Sequence, residues 1–391
     1  MAGIYIHIPF CSQFCTYCDF YSVKAGKRGD AFIQALKSES ESRKEFFRGA
    51  CASPGTLYFG GGTPSLIDPV HIGEVAEIIC DNHGFSKPYL LEEFTVEVNP
   101  DDASPIYLRR LYESGARRLS MGVQSFVDSH LKWMNRRHDS STAIEAFHNA
   151  REAGFKNISI DLIFGFSLLT MDEWRHNLDR AIALKPEHIS SYQLSIEKGT
   201  KLGKDYEKGS YIPVEDDLSY TQYSLLQRAL ADAGYKQYEV SSFALDSKEA
   251  IHNSRYWDRT PYLGLGPAAH SFDGVKRYGN KPSLGAYLKR YSPDELERSK
   301  LPGYKEEYVK QELLNNSDIF NETLMLSLRR VEGLDVDKLI NNTSGIDFKS
   351  FMDDVQRQVA LGDLEWSGRK IKIPSGKLFL SDGIIRELFR D

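Results

Sequence analysis

The sequence has no long apolar run. No stretch approaches bilayer length, and no charged-then-apolar leader precedes the first predicted strand, so neither a transmembrane segment nor an export signal is read. Positive charge is not in excess either. Lys and Arg number 49 against 55 Asp and Glu, a formal net charge of -6, which argues against nucleic acid as a partner. Cysteine is scarce: five in 391 residues, three of them clustered, which excludes a disulfide scaffold and suits a reducing, cytoplasmic setting. Internal repeats and low-complexity tracts are also missing. The remaining composition is an ordinary globular balance, with length for two or three domains and a substantial core.

The clustered cysteines lie in the segment Tyr5-Ile6-His7-Ile8-Pro9-Phe10-Cys11-Ser12-Gln13-Phe14-Cys15-Thr16-Tyr17-Cys18-Asp19-Phe20. An alternating apolar run, 4–8, reads as a strand that Pro9 ends. The thiols then hang on a loop at the strand's C-terminal end, where α/β sheets and barrels keep their chemistry. Thiolates bind soft metals and iron–sulfur clusters. Three of them on a four-iron cube leave one iron open, whereas a structural zinc site wants four ligands. His7 is the only near fourth donor, and it belongs to the strand. Cluster, zinc and unligated loop cysteines all remain open on spacing alone. Cys51 and Cys80 stand apart and read as buried free thiols.

The rest of the first half alternates strands with helices. Strands are predicted at 56–59, 94–98, 118–123, 158–164 and 188–194, with helices near 30–48, 69–80, 105–114, 142–153 and 172–184. Six such strands make an α/β fold with a parallel sheet, curled by right-handed crossovers into a partial (β/α)6 barrel. Gly60-Gly61-Gly62-Thr63 follows the second strand, where glycines allow close backbone approach and free amides for an anion; a plain turn is the alternative. Glu97, Gln124 and Asp161 recur at or just past strand ends. Each alone reads as a satisfied core polar; their recurrence points to a shared ligand. A helix over 215–233 follows, and 238–243 reads as one further strand.

A second site is His252-Asn253-Ser254-Arg255-Tyr256-Trp257. On its own it is a partly buried turn with a satisfied imidazole, although imidazole ligates iron and aromatics stack on porphyrins. The stretch Tyr262 to Ser271 bends through glycines, and His270 in it reads as a core histidine in preference to an iron ligand. Beyond residue 301 come helices around Leu324 and Phe351, a strand at 370–373, and a last helix capped by Ser381.

The Cys-x3-Cys-x2-Cys segment with its Tyr-x-His-x-Pro-Phe lead-in resembles the radical S-adenosylmethionine (SAM) superfamily. Within it, the chain is similar to the branch holding oxygen-independent coproporphyrinogen III dehydrogenases and HemW-type haem chaperones. The resemblance implies a 4Fe-4S cluster on Cys11, Cys15 and Cys18 whose open iron chelates SAM. It also implies a SAM pocket of Tyr5, Gly61, Gly62, Thr63, Glu97, Gln124, Arg136 and Asp161. The His-Asn-x-x-Tyr-Trp signature resembles the haem chaperones, with His252 and Tyr256 handling haem and Trp257 packing. The dehydrogenases carry a fourth cysteine two residues after the third, where this chain has Phe20, and a long extension where it has four residues before Tyr5. Both departures favour a haem chaperone that delivers haem to apoproteins such as membrane respiratory enzymes. Radical decarboxylation of coproporphyrinogen III is the alternative, and a zinc-stabilised barrel the third reading. The implied organisation is a radical SAM core over 1–237, a motif-bearing extension over 238–300 and a winged-helix-like domain over 301–391; a homodimer is compatible with it.

Overall fold

A computed structural model describes residues 2–48, 54–85, 87–301 and 306–390, so Cys51 lies outside the described residues. Six strands, β1 (Ala2–Ile8), β2 (Pro54–Gly61), β3 (Glu93–Val98), β4 (Arg118–Gln124), β5 (Ile158–Phe164) and β6 (His188–Gln193), pair side by side in chain order and all in parallel. Crossover helices α1 (Gly29–Ser42), α2 (Pro69–His83) and α3 (Pro105–Glu113) connect the first four strands. The short α4 (Asp128–Trp133) with α5 (Ser140–Glu152), and then α6 (Met171–Leu184), complete the series. Their starts are set locally: Asp68, Ser104, Asp139 and Thr170 each accept a backbone amide of the first turn, Thr170 in a reciprocal box with Glu173.

Parallel strands covered on both faces usually read as continuous apolar runs. These do not. One face of each strand is apolar and buried against the helices: Ile4, Ile6 and Ile8 on β1, Phe94, Val96 and Val98 on β3, Leu119, Met121 and Val123 on β4. The alternate residues, including Thr56, Glu93, Thr95, Arg118, Ser120, Ser159 and His188, are buried and polar. The barrel therefore has a polar interior inside an apolar jacket.

The sheet continues beyond the six strands on both sides. Past β6, the chain over 238–243 is not one strand. It folds back as a hairpin, β7 (Lys236–Glu239) and β8 (Ser242–Ala244), with β8 antiparallel to β6. The turn at Val240 and Ser241 is held because the Ser241 amide donates to the Glu239 carboxylate and the Val240 carbonyl accepts from the Tyr223 hydroxyl. Helix α7 (Lys201–Glu207) and helix α8 (Asp216–Asp232) precede it, and α9 (Ile251–Trp257) follows. On the other side β9 (Tyr262–Leu265) runs parallel to β1, and β10 (His270–Phe272), β11 (Lys276–Asn280) and β12 (Val309–Leu313) add on antiparallel. Among the described residues twelve strands make one sheet; residue 237 lies inside β7, and β12 lies beyond residue 300.

The C-terminal part has helices Asn316–Leu328, Val336–Asn342 and Phe348–Ala360 around a three-stranded antiparallel sheet, β13 (Leu334–Asp335), β14 (Glu365–Ser367) and β15 (Lys370–Lys372). Ser381 is the first residue of the last helix and not its cap, because the chain enters from a 3-10 turn over Ser375–Leu380. No helix among the described residues is long and apolar enough to cross a membrane.

Glu39 locks the flanking strands to the barrel. It falls on the same face of α1 as Phe32 and Leu36 and is fully buried. Its carboxylate accepts from the Gly266 amide at 2.7 Å, Tyr287 at 2.8 Å, Asn280 at 2.8 Å and Tyr291 at 3.1 Å, with Arg43 at 3.6 Å. Removing it strands several buried donors at once. Glu39→Ala is expected to destabilise the protein by about 3 kcal/mol or more, and Glu39→Gln by less. Equal melting temperatures for the wild type and Glu39→Ala would remove this role.

Candidate functional site

The cysteine loop starts where β1 ends. Phe10–Cys11 pairs in parallel with Val23–Lys24, closing the loop at its base. His7 holds the far side: its Nε2 donates to the Tyr21 carbonyl at 2.8 Å, leaving Nδ1 to accept from the Tyr5 hydroxyl at 3.1 Å. Both ring nitrogens are thus engaged, and His7 does not supply a fourth ligand. The loop is tied across the barrel as well, by the Thr16 amide on the Met134 carbonyl (3.1 Å) and the Asn135 amide group on the Phe14 carbonyl (2.7 Å).

A cavity of about 520 Å³ opens under this loop. Cys11, Cys15 and Cys18 line it together with Gly61, Gly62, Thr63, Glu97, Gln124, Arg136 and Asp161. The glycines serve clearance. A Cβ on Gly62 would stand 3.1 Å from Cys11 Sγ and 2.8 Å from the Phe10 carbonyl oxygen, and one on Gly61 would stand 2.6 Å from the His7 ring. The expectation of free amides here fails, because β2 runs on into the glycines. Gly61 donates to Glu97 Oε2 at 3.1 Å and Gly62 to the Ile8 carbonyl at 2.7 Å.

Adjacent arginines are sorted by their partners. Arg137 turns out to Asp102 at 2.8 Å. Arg136 turns in, donating to Cys15 Sγ at 3.4 Å, the Asn99 side-chain oxygen at 3.2 Å and the Gly122 carbonyl at 2.7 Å. Its Nε is buried without a partner among the described residues. Gln124 is aimed by a bulge between β4 and β5 and by a left-handed backbone, φ 67°. Burial pushes the Glu97 carboxyl up to about 7 and that of Asp161 up to about 6. Glu97 accepts from Tyr58 at 2.8 Å, and Asp161 from Ser120 at 3.1 Å.

Burial also raises the Cys11 thiol and pushes Cys18 up to about 11, so ligand binding must displace protons. Among the described residues no three His, Cys, Asp or Glu side chains converge to hold one metal ion. A four-iron cube takes one thiolate per iron and needs no such convergence. Three thiols lining one cavity, a glycine that clears Cys11 and a half-buried arginine beside Cys15 fit a 4Fe-4S cluster with SAM.

Comparison with known proteins gives the same lineage. The family model of the radical SAM superfamily matches residues 5–181. The heme chaperone HemW of Lactococcus lactis is 33% identical over 339 residues, covering 86% of this chain and 84% of that protein. HemW of Bacillus subtilis is 34% identical over 290 residues, covering 74% and 75%. This chain belongs to the HemW family of radical SAM proteins. The solved structure of Escherichia coli coproporphyrinogen III oxidase, HemN, superimposes with a TM-score of 0.81 over 99% of this chain and 90% of that one; at 22% identity the likeness concerns the fold alone.

In this HemW-family chain, Tyr5, His252 and Tyr256 do not join the cavity lining. Tyr5 stands behind it, on His7. His252 is 2% exposed, with Nδ1 bonded to the Thr56 hydroxyl at 2.9 Å and Nε2 to the Tyr256 hydroxyl at 3.0 Å. It stacks on Tyr58 at 5.1 Å, and Gly3 makes room for it: a Cβ there would lie 3.0 Å from the ring. With both nitrogens bonded inside the barrel, His252 offers no free donor to an external haem in this conformation. Its neighbour Asn253 does reach the cavity. His270 is exposed, not core; the bend before it is packed against backbone, with the His270 carbonyl 2.1 Å from where a Gly264 Cβ would be. Arg118, Ser190 and Tyr192 also line the cavity, and polar residues at every second position of β4 and β6 carry the signal for them; Asn253 lines it from α9, where no such pattern marks it.

Two outcomes follow from this geometry. A carboxyl raised in the folded state stabilises the protein below its unfolded value and loses that contribution as pH rises from about 4.5 to about 7. Ligand-free Glu97→Gln is therefore expected to gain in melting temperature on the wild type as pH rises through that window, while its SAM affinity no longer increases with pH; parallel profiles in calorimetry and SAM titration would refute this. His252→Leu loses two buried hydrogen bonds and is expected to cost about 1–3 kcal/mol of stability, read as a lower melting temperature before any haem is added.

Proposed function

We propose that this chain binds haem and delivers it to haem-requiring apoproteins such as respiratory enzymes, working in the cytoplasm with a 4Fe-4S cluster and SAM. The observation that carries the reading is the cavity in which three thiols share space with Arg136, a cation that has no carboxylate partner among the described residues. Relatives that cover most of the chain are heme chaperones by name. When bound, the cluster supplies one electron to SAM.

The chain's own residues hold and orient. Arg136 presents its guanidinium to a carboxylate, and Thr63 steadies Cys11 through a hydroxyl 3.5 Å from Sγ. Glu97 and Asp161 receive hydroxyl or ammonium donors, with Tyr58 and Ser120 fixing their rotamers. Phe14 and Phe20 are exposed at the mouth of the cavity, 50% and 62%, and offer flat apolar contact to a porphyrin edge. Phe20 occupies the place of the additional cysteine of the dehydrogenases. The C-terminal helices and strands suit a winged-helix-like interaction surface and not a DNA reader, since the helix Phe348–Ala360 spends Asp354 on Arg390 and Arg357.

Anaerobic purification and cluster reconstitution, followed by haem titration and transfer to an apocytochrome, test the reading. Saturable haem binding with transfer is expected, and Phe20→Ala is expected to weaken haem binding several-fold. Formation of protoporphyrinogen from coproporphyrinogen III with SAM and a reductant would overturn it in favour of a dehydrogenase.

A further inference from the structure

Arg118 opens β4 on the inward face of the barrel, at the end away from the cysteines. It is 3% exposed and lines the cavity. Among the described residues its guanidinium makes no hydrogen bond and no ion pair, and its Nε is buried without a partner. A buried cation in that state is expensive to keep.

The carboxylates that could serve it are turned elsewhere. Glu93 accepts the Ile251 amide at 2.7 Å, the His252 amide at 3.3 Å and the Thr95 hydroxyl at 2.9 Å. Glu97 is bonded to Tyr58 and Gly61, Asp161 to Ser120, and Glu239 to the Ser241 amide at 2.9 Å. Glu93 and Asp161 act on Arg118 only through space, as do Tyr58 and Tyr238. His252 and His188 feel its charge as well and stay neutral. A second open donor lies on α9, one residue past His252, whose ring feels the Arg118 charge. Asn253 lines the same cavity, and its amide makes no hydrogen bond among the described residues.

We propose that Arg118 and Asn253 form a receptor for an alkyl carboxylate on a ligand other than SAM, seated at the floor of the barrel cavity. The guanidinium fork matches a carboxylate in two parallel bonds, and the Asn253 amide adds a third donor. A single negative charge suits one arginine among several carboxylates better than a phosphate dianion does. SAM has one carboxylate, and Arg136 at the cysteine end is the group that faces it. The propionate arms of haem are one source, an identification that rests on the haem reading above; a free small carboxylic acid is the other.

The full chain with reconstituted cluster is titrated with sodium propionate at constant ionic strength, chloride serving as control, and separately with haem and haem dimethyl ester. Propionate is expected to stabilise the wild type saturably, not Arg118→Gln, and only weakly Asn253→Ala. Haem is expected to bind the wild type about tenfold more tightly than its ester, a preference that Arg118→Gln abolishes. Propionate binding with equal affinity for haem and ester keeps the receptor and assigns it to a small acid. Absence of all haem binding defeats the haem reading and leaves the receptor to the propionate arm. The proposal is overturned if neither arm shows a carboxylate preference, if Arg118→Gln binds propionate like the wild type, or if that variant loses tenfold in SAM affinity. Should Arg118→Gln fail to fold, Asn253→Ala decides by the same criteria.

Discussion

Six strands that bury polar side chains on their inner face must find partners for them inside the barrel, and, Arg118 apart, most of the architecture answers that demand. Thr95 bonds Glu93, Ser120 bonds Asp161, Tyr58 bonds Glu97, and Ser159 bonds the His188 ring at 2.8 Å. The low dielectric that makes such bonds strong also makes a missing one expensive. Polarity in the interior then creates a place where charged small molecules can be held away from bulk water. The apolar jacket supplies the stability that this interior does not.

The same demand explains the position of α9. Its first amides cap the Glu93 carboxylate, its histidine fills the base of the barrel against Tyr58, and its asparagine alone looks into the cavity. The motif is therefore part of the barrel's closure as well as a signature. Tyr58 connects that closure to Glu97, so the base of the barrel and the carboxylate at the end of β3 share one side chain.

Much of this was legible in the sequence. The cysteine loop, the six strands in order and the glycines at the end of β2 follow from local chemistry, since Pro9, the helix caps and the β-branched runs act within a few residues. Arg136 lay beside Arg137 with nothing local to separate them; the Asp101–Asp102 turn from another part of the chain does so. Glu39 reads as one more charge in an acidic helix until its phase relative to Phe32 and Leu36 is counted. The split of 238–243 into a hairpin and the burial of His252 depend on Tyr223, Thr56 and Gly3, contacts far away in sequence, and no local pattern carries them. Residues that bond across the barrel were the hardest to read.

The pairing of β1 bears on how the chain is made. Gly3 lies beside Thr56 on one side and Tyr262 on the other, and its missing side chain is the space into which His252 fits. β1 leaves the ribosome long before α9 and β9, so that strand acquires its second neighbour and its covering imidazole only after the five intervening barrel strands have been made. The nascent strand must stay soluble through that interval, and closure of the barrel belongs to the late, long-range phase of folding.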